Sequence, residues 1–212
     1  MVRKSKEDAQ ATRELILDHA ELLFETHGVS RTSLQDIAVA AGVTRGAIYW
    51  HFTDKADVFL GMMDRVTLPC ESAAAAVLSR TDADLRTLLL DLSLMPLKQL
   101  ETDPHMRRVF TIAMHRTEAT DELASAGLRH QAMVDGFIAD MTLQFKRAAA
   151  AGQLRPRAKP HDAAIGLFAL IDGLMHNWTM QPERFKLQAV GRSALQAYLA
   201  GWFVDRAPDA AA

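Results

Sequence analysis

The run from Thr32 to Lys55, TSLQDIAVAAGVTRGAIYWHFTDK, leaves this chain few ways to fold. Ala38 stands four residues before Gly42, Val43 directly after it and Ile48 six after. Each position has a steric reason. Ala38 has to be small because a second helix crosses close over it. Gly42 can take a positive φ without a Cβ clash, so the chain can turn sharply. Ile37, Val43 and Ile48 then form an apolar wedge between two helices meeting at about 90–120°. This is the pattern of a helix-turn-helix.

The second helix of the pair has an odd outer face. Thr44 is a good N-cap for it. With Ile48 turned inward, a rotation of about 100° per residue puts Gly46, Ala47, Tyr49 and Trp50 on the outer half. Arg45, in the first turn, has a stem long enough to reach past them. A glycine, two aromatics and an arginine make a poor solvated surface but suit the groove of a duplex. Gly46 removes bulk where the backbone would approach DNA, and Arg45 can pair with guanine edges. Tyr49, Trp50 and His51 can meet phosphate or a thymine methyl. The plainer alternative is that the two rings pack against the next helix. Thr44 and Lys55 would also grip phosphates, with Arg31, Thr32 and Ser33 at the start of the preceding helix. Arg3, Lys4 and Lys6 in a basic arm (residues 1–8) would add affinity.

A net charge of −2 looks wrong for a DNA binder until the charges are placed. Residues 1–55 hold seven Lys/Arg against eight Asp/Glu. Four of the acids, Glu14, Asp18, Glu21 and Glu25, recur at helical spacing and line one face of the first helix. Segregation rather than total charge makes an electrostatic footprint. The acidic stripe is therefore expected to face away from DNA.

The rest reads as further helices. With 212 residues, 49% of them hydrophobic and only 7% aromatic, the chain can build an ample helical core. The spacing predicts helices over 9–27, 34–41 and 45–51, then a fourth from Thr53-Asp54 that Pro69 kinks or interrupts. Later ones follow over 84–100, from Asp103-Pro104 to 114, and from Thr120-Asp121 to 151. The last two, 161–180 and 183–204, are apolar around most of their circumference, whereas a surface helix needs one stripe. The excess points to burial against a second subunit. The fold class is all-α, about nine helices in all. A three-helix DNA-binding domain (1–55) precedes a larger domain for effector binding and dimerisation (56–212).

Arg13, Ile16, Leu17, Ala20, Leu23, Phe24 and Gly28 of helix one, with Thr32, IAVAAGVTRGAIYWHF and Lys55, resemble the DNA-binding domain of the TetR family of repressors. RGAIYWHF and the VRKSKEDAQATR start are closest to its AcrR-type branch, which governs multidrug efflux pumps. The resemblance is tight over roughly the first sixty residues. Beyond them it rests on helix spacing and scattered words such as Asp172-Gly173-Leu174 and Asn177-Trp178. It implies a cytoplasmic homodimer on a double-stranded operator, released by a hydrophobic small molecule. The last two helices would form a four-helix interface, for which Phe168, Trp178, Leu195, Tyr198, Leu199 and Trp202 are the candidates. The ligand cavity would lie among the body helices, with Asp172 and the region around His115 prominent. Met63, Val66, Met95, Phe110, Met114, Met141, Met175 and His176 complete the candidate set. Methionine repacks around varied ligands, although each could equally be ordinary core. Thr67 stands where some relatives have an acid. Asp172, between Ile171 and Leu174, would need a partner for its carboxylate.

Other function classes have little to stand on. The eight histidines show no HExxH, no pair at one-turn spacing and no cysteine cluster, and His115 with Glu118 reads as a solvated pair rather than a metal site. No Gly-rich phosphate loop occurs, so no cofactor is expected. The one cysteine, Cys70, has no adjacent base and fits a reducing compartment. The charged start has no apolar signal core. Residues 163–182 carry Asp172, His176, Asn177 and Gln181, which suits a buried helix rather than a membrane span. Two alternatives remain: a helix-turn-helix protein without an effector and, behind it, a small helical enzyme.

Overall fold

The computed structural model describes residues 6–79 and 84–204. Of the basic arm it covers only the end, so Arg3 and Lys4 lie outside the described residues. Nine α-helices occur among those described: α1 (Lys6–His27), α2 (Leu34–Ala40), α3 (Arg45–His51), α4 (Lys55–Leu78), α5 (Leu85–Thr102), α6 (Pro104–His115), α7 (Ala124–Ala150), α8 (Pro160–Met180) and α9 (Leu187–Trp202). A 3₁₀ turn, Asp121–Leu123, leads into α7. The helices pack as two compact units. The first takes the chain up to Pro69 together with Pro104–Gln131; the second takes Cys70–Asp103 and the chain from Ala132 on.

In the first unit α1 is the spine. Ile16, Leu17, Ala20 and Phe24, at helical spacing, are buried along it, and α2 and α6 pack on it. The four acids of the α1 stripe hold this unit together. Glu14 and Asp18 pair with Arg65 of α4 at 3.3 and 2.7 Å. Glu25 meets Arg108 of α6 at 3.1 Å. Glu21 is only 2% exposed. It is held by His105 at 2.9 Å and Arg108 at 3.2 Å, as a buried carboxylate must be. The far end of α6 is tied as well, through the Val29 amide donating to the Arg116 carbonyl at 2.9 Å.

Pro69 does not interrupt α4. The helix runs through it to Leu78, and the change from one unit to the other falls between Pro69 and Cys70. A proline removes one backbone donor from a helix, so the helix continues there with one ladder bond fewer.

The second unit is built on α5, α8 and α9. Gly191 allows α9 to close on α5, because a Cβ there would run into the Leu97 side chain. Helix α9 starts at Leu187 rather than near residue 183, since its N-terminal donors are satisfied from another element. The Glu101 carboxylate of α5 accepts from the Leu187 and Gln188 amides at 2.8 and 3.3 Å, a favourable place for an anion. The Trp178 indole N–H donates to the Phe185 carbonyl at 3.1 Å and fastens the connection. The Tyr198 hydroxyl donates to the Ala163 carbonyl at 2.8 Å, joining α9 to α8.

Candidate nucleic-acid interface

The reading head is assembled by short-range bonds. At the start of α2 the Ser33 hydroxyl accepts from the Asp36 amide at 3.1 Å, and the Asp36 carboxylate accepts from the Ser33 amide at 2.9 Å. This reciprocal arrangement is a capping box. The Ser33 hydroxyl and then its amide, bonding the ionised form, hold the Asp36 carboxyl below its usual range. Helix α2 ends at a Gly42 with φ +64. There the Val43 amide reaches back to the Ala38 carbonyl at 3.0 Å and the Gly42 amide to Val39 at 3.1 Å, a left-handed termination that glycine permits. Thr44 then caps α3, its hydroxyl accepting from the Ala47 amide at 3.1 Å.

Ile48 is the buried residue of α3, at 0% exposure. The rest of the helix presents the face the spacing predicts. Arg45 and Gly46 are exposed, Tyr49 is 48% and Trp50 71% exposed, and Ala47 and His51 are half-buried. The Arg45 guanidinium lies over the Tyr49 ring, 5.6 Å from its centroid. This stacking keeps an outward cation in place at small entropic cost. The Trp50 and His51 rings meet edge-on at 4.5 Å. A Cβ on Gly46 would find only the Thr44 hydroxyl, at 3.9 Å. Among the described residues nothing crowds that position, so packing within the chain does not require the glycine.

Arg45 and Tyr49 line an open groove of about 450 Å³, together with Arg31, Thr32, Ser33, Thr53 and Lys55. Two of these residues do not offer the contacts expected of them. Thr32 is 2% exposed, and its hydroxyl donates to the Gly28 carbonyl at 2.9 Å. It satisfies a carbonyl left open at the end of α1 instead of reaching for phosphate. The Lys55 ammonium is likewise engaged, with the Ser30 carbonyl at 3.2 Å and the Glu122 carboxylate at 2.8 Å. Arg31 stays exposed, with its Nε donating to the His27 carbonyl at 2.7 Å. Glu122 also lines the groove. It comes from the turn before α7, and no local signal in the sequence ties it to the helix-turn-helix. None of the four acids of α1 lines the groove.

The effector candidates are divided between the units. Met63, Val66, Thr67, Phe110, Met114 and His115 fall in the first, Met95, Met141, Asp172, Met175 and His176 in the second. Val66, Met141 and Met175 are buried. Asp172 and His176 sit on the outward side of α8, exposed, so the Asp172 carboxylate is solvated and needs no partner from its own chain. Among the interface candidates, Trp178, Leu195 and Leu199 are 3%, 0% and 1% exposed. They are core side chains of the second unit, and only Phe168, Tyr198 and Trp202 keep part of their surface. Among the described residues no three His, Cys, Asp or Glu side chains group so as to hold a metal, and no helix is long and apolar enough to cross a membrane.

A capped, outward-facing α3 behind a glycine turn, beside a groove that holds Arg31 and Arg45, defines a helix-turn-helix regulator that binds DNA. Two family profiles match the chain: bacterial regulatory proteins, tetR family, over residues 16–62, and the MAATS-type transcriptional repressor C-terminal region over 83–202. The chain belongs to the tetR family. It is 37% identical over 187 residues to the HTH-type transcriptional regulator TtgR of Pseudomonas putida, covering 88% of this chain and 89% of that one. Its fold is similar to that of NalD, the secondary repressor of the MexAB-OprM multidrug efflux pump in Pseudomonas aeruginosa. The TM-score is 0.87 at 40% identity, over 95% of this chain and all of that one. A complex of SmeT with triclosan is also similar, with TM-score 0.79 and 36% identity, over 92% of this chain and 93% of that one. SmeT is the repressor of the Stenotrophomonas maltophilia multidrug efflux pump SmeDEF.

Proposed function

We propose that this protein is a ligand-responsive transcriptional repressor, a cytoplasmic homodimer that holds a pseudo-palindromic operator and leaves it when a hydrophobic small molecule binds. The observation that carries the reading is the outer face of α3, where Arg45 is stacked on Tyr49 and Trp50 is 71% exposed. Arg45 reads a base edge. Thr44, Tyr49, Trp50 and His51 grip backbone and methyl groups, Gly46 and Ala47 admit the duplex, and Arg31 and Ser33 flank them. Two such helices about 34–36 Å apart would enter successive major grooves.

The outward sides of α8 and α9 support the dimer. Ile165 and Met180 on α8 and Val190 and Val204 at or just after α9 are 40–66% exposed, with the small Ala169, Ala197 and Gly201 between them. Small and apolar residues in register let two helix pairs approach closely. Asp172, His176, Tyr198 and Trp202 would give that face its polar and aromatic contacts. Effector recognition falls to the methionine-bearing helices α4 to α8, and the similarity to a triclosan-bound repressor favours a multidrug efflux operon as the target. A coupling of about 1–3 kcal/mol between ligand and DNA would shift operator affinity roughly 5–150-fold.

A mobility-shift assay on DNA upstream of the gene, with and without triclosan and other hydrophobic compounds, tests this. The expected result is a retarded complex that a compound dissolves. Binding that no compound changes would point to an effectorless binder, and no binding at all would overturn the reading.

A further inference from the structure

Lys55 carries a second message. Its ammonium is 5% exposed and sits at the edge of the groove that also holds Arg31 and Arg45, but the anion it meets is the Glu122 carboxylate, 2.8 Å away. That carboxylate comes from outside the helix-turn-helix, on the 3₁₀ turn of the connection between α6 and α7. The connection is docked twice on the head. Arg116 at its start accepts from the Val29 amide at 2.9 Å, and Glu122 near its end takes Lys55. Between these points Ser30 gives its carbonyl to Lys55 at 3.2 Å, while its buried hydroxyl finds no partner.

The two members of the pair are unequal. Glu122 is 54% exposed and can leave for water at little cost; Lys55 cannot. A buried ammonium that loses its carboxylate needs another anion in the same place. The groove beside it is where a nucleic-acid backbone would supply one.

We propose that Glu122 is an intramolecular stand-in for an operator phosphate. Docking of the α6–α7 connection on the head and engagement of DNA by Lys55 exclude one another, and operator affinity is set in part by how firmly that connection is held. This rests on the DNA-binding reading above and deepens it: Lys55 becomes a phosphate contact only once Glu122 has left.

The test uses the full chain and a duplex that the wild-type protein selects from random-sequence DNA, with an unrelated duplex of equal length beside it. If the wild-type chain selects nothing, the DNA-binding reading fails first and by itself. Given a selected duplex, Glu122→Gln should tighten binding to both DNAs by about two- to fivefold, the range of a half-exposed ion pair. The plot of log affinity against log salt should steepen by about 0.9, one phosphate's share. In a Lys55→Met background the same change should do nothing, since the coupling would be gone. Weaker binding by Glu122→Gln, or unchanged affinity and slope, would make Glu122 a structural partner of Lys55 and overturn the proposal. Glu122→Asp keeps the charge but withdraws it by one methylene, so it should fall between. Were Glu122→Gln not to fold, this variant decides alone: tighter binding sustains the proposal, unchanged binding sinks it.

Discussion

The reading helix α3 and the final pair α8–α9 are both helical and both central to the proposed function, yet their residues are used in opposite ways. Helix α3 has seven residues, and Ile48 is the one it buries. Arg45, Gly46, Tyr49 and Trp50 are exposed on its outer side. In α8 and α9 many bulky side chains, among them Leu167, Trp178, Leu195 and Leu199, go to the chain's own core. A smaller, more mixed set is left outside. The lesson concerns surplus hydrophobicity. On a short helix any bulky exposed ring is a signal, because there is too little core for it to fill. On a long helix that is apolar all round, the strongest hydrophobes are taken first by intramolecular packing, and a second subunit would meet what remains.

That contrast makes measurable demands. Leu195→Ala should destabilise the chain itself by about 2–5 kcal/mol, the usual cost of emptying a buried leucine site. The loss should show in thermal unfolding even where protein is too dilute to associate. Ile165→Asp, on the outward side of α8, should instead leave unfolding nearly unchanged and abolish self-association in sedimentation. If the two variants exchange behaviours, core and interface have been assigned the wrong way round. Arg45→Ala should cost about 1–3 kcal/mol of operator binding and relax preference at one base position. A uniform weakening across all sequences would demote Arg45 to a phosphate contact. Ser33→Ala should cost about 0.5–2 kcal/mol through the lost cap of α2, read by denaturant unfolding. Asp36 adds a pH signature to that cap. Its carboxyl is held below the usual range in the folded chain. Its contribution is therefore complete above the ordinary carboxylate pKa of about 3.9 and is lost as pH falls through the lower folded value. The wild type should lose this part of its stability on acidification, and Asp36→Asn should not.

The helix-turn-helix was legible because its determinants are local. A small residue, a glycine that must take a positive φ, two hydroxyl caps and a wedge of three apolar side chains all fall within 17 positions, from Thr32 to Ile48. What could not be read were the partners that distant segments supply. Thr32 looks like a phosphate-gripping hydroxyl until the end of α1 lies beside it. Lys55 looks free until the turn before α7 arrives with Glu122. Glu21 looks like one more member of an acidic row until α6 brings His105 and Arg108. Asp172 failed in the opposite direction. Apolar neighbours in sequence implied burial, but on a helix the adjacent positions point elsewhere, and the carboxylate is in solvent. Pro69 is different again: its missing donor is a local fact, yet α4 continues past it to Leu78.

The economy of α3 has an evolutionary corollary. When one isoleucine and one threonine secure most of a recognition element, its exposed positions can be exchanged without asking permission from the scaffold. Such a molecule can acquire a new genomic address through a handful of surface replacements, keeping intact whatever it senses.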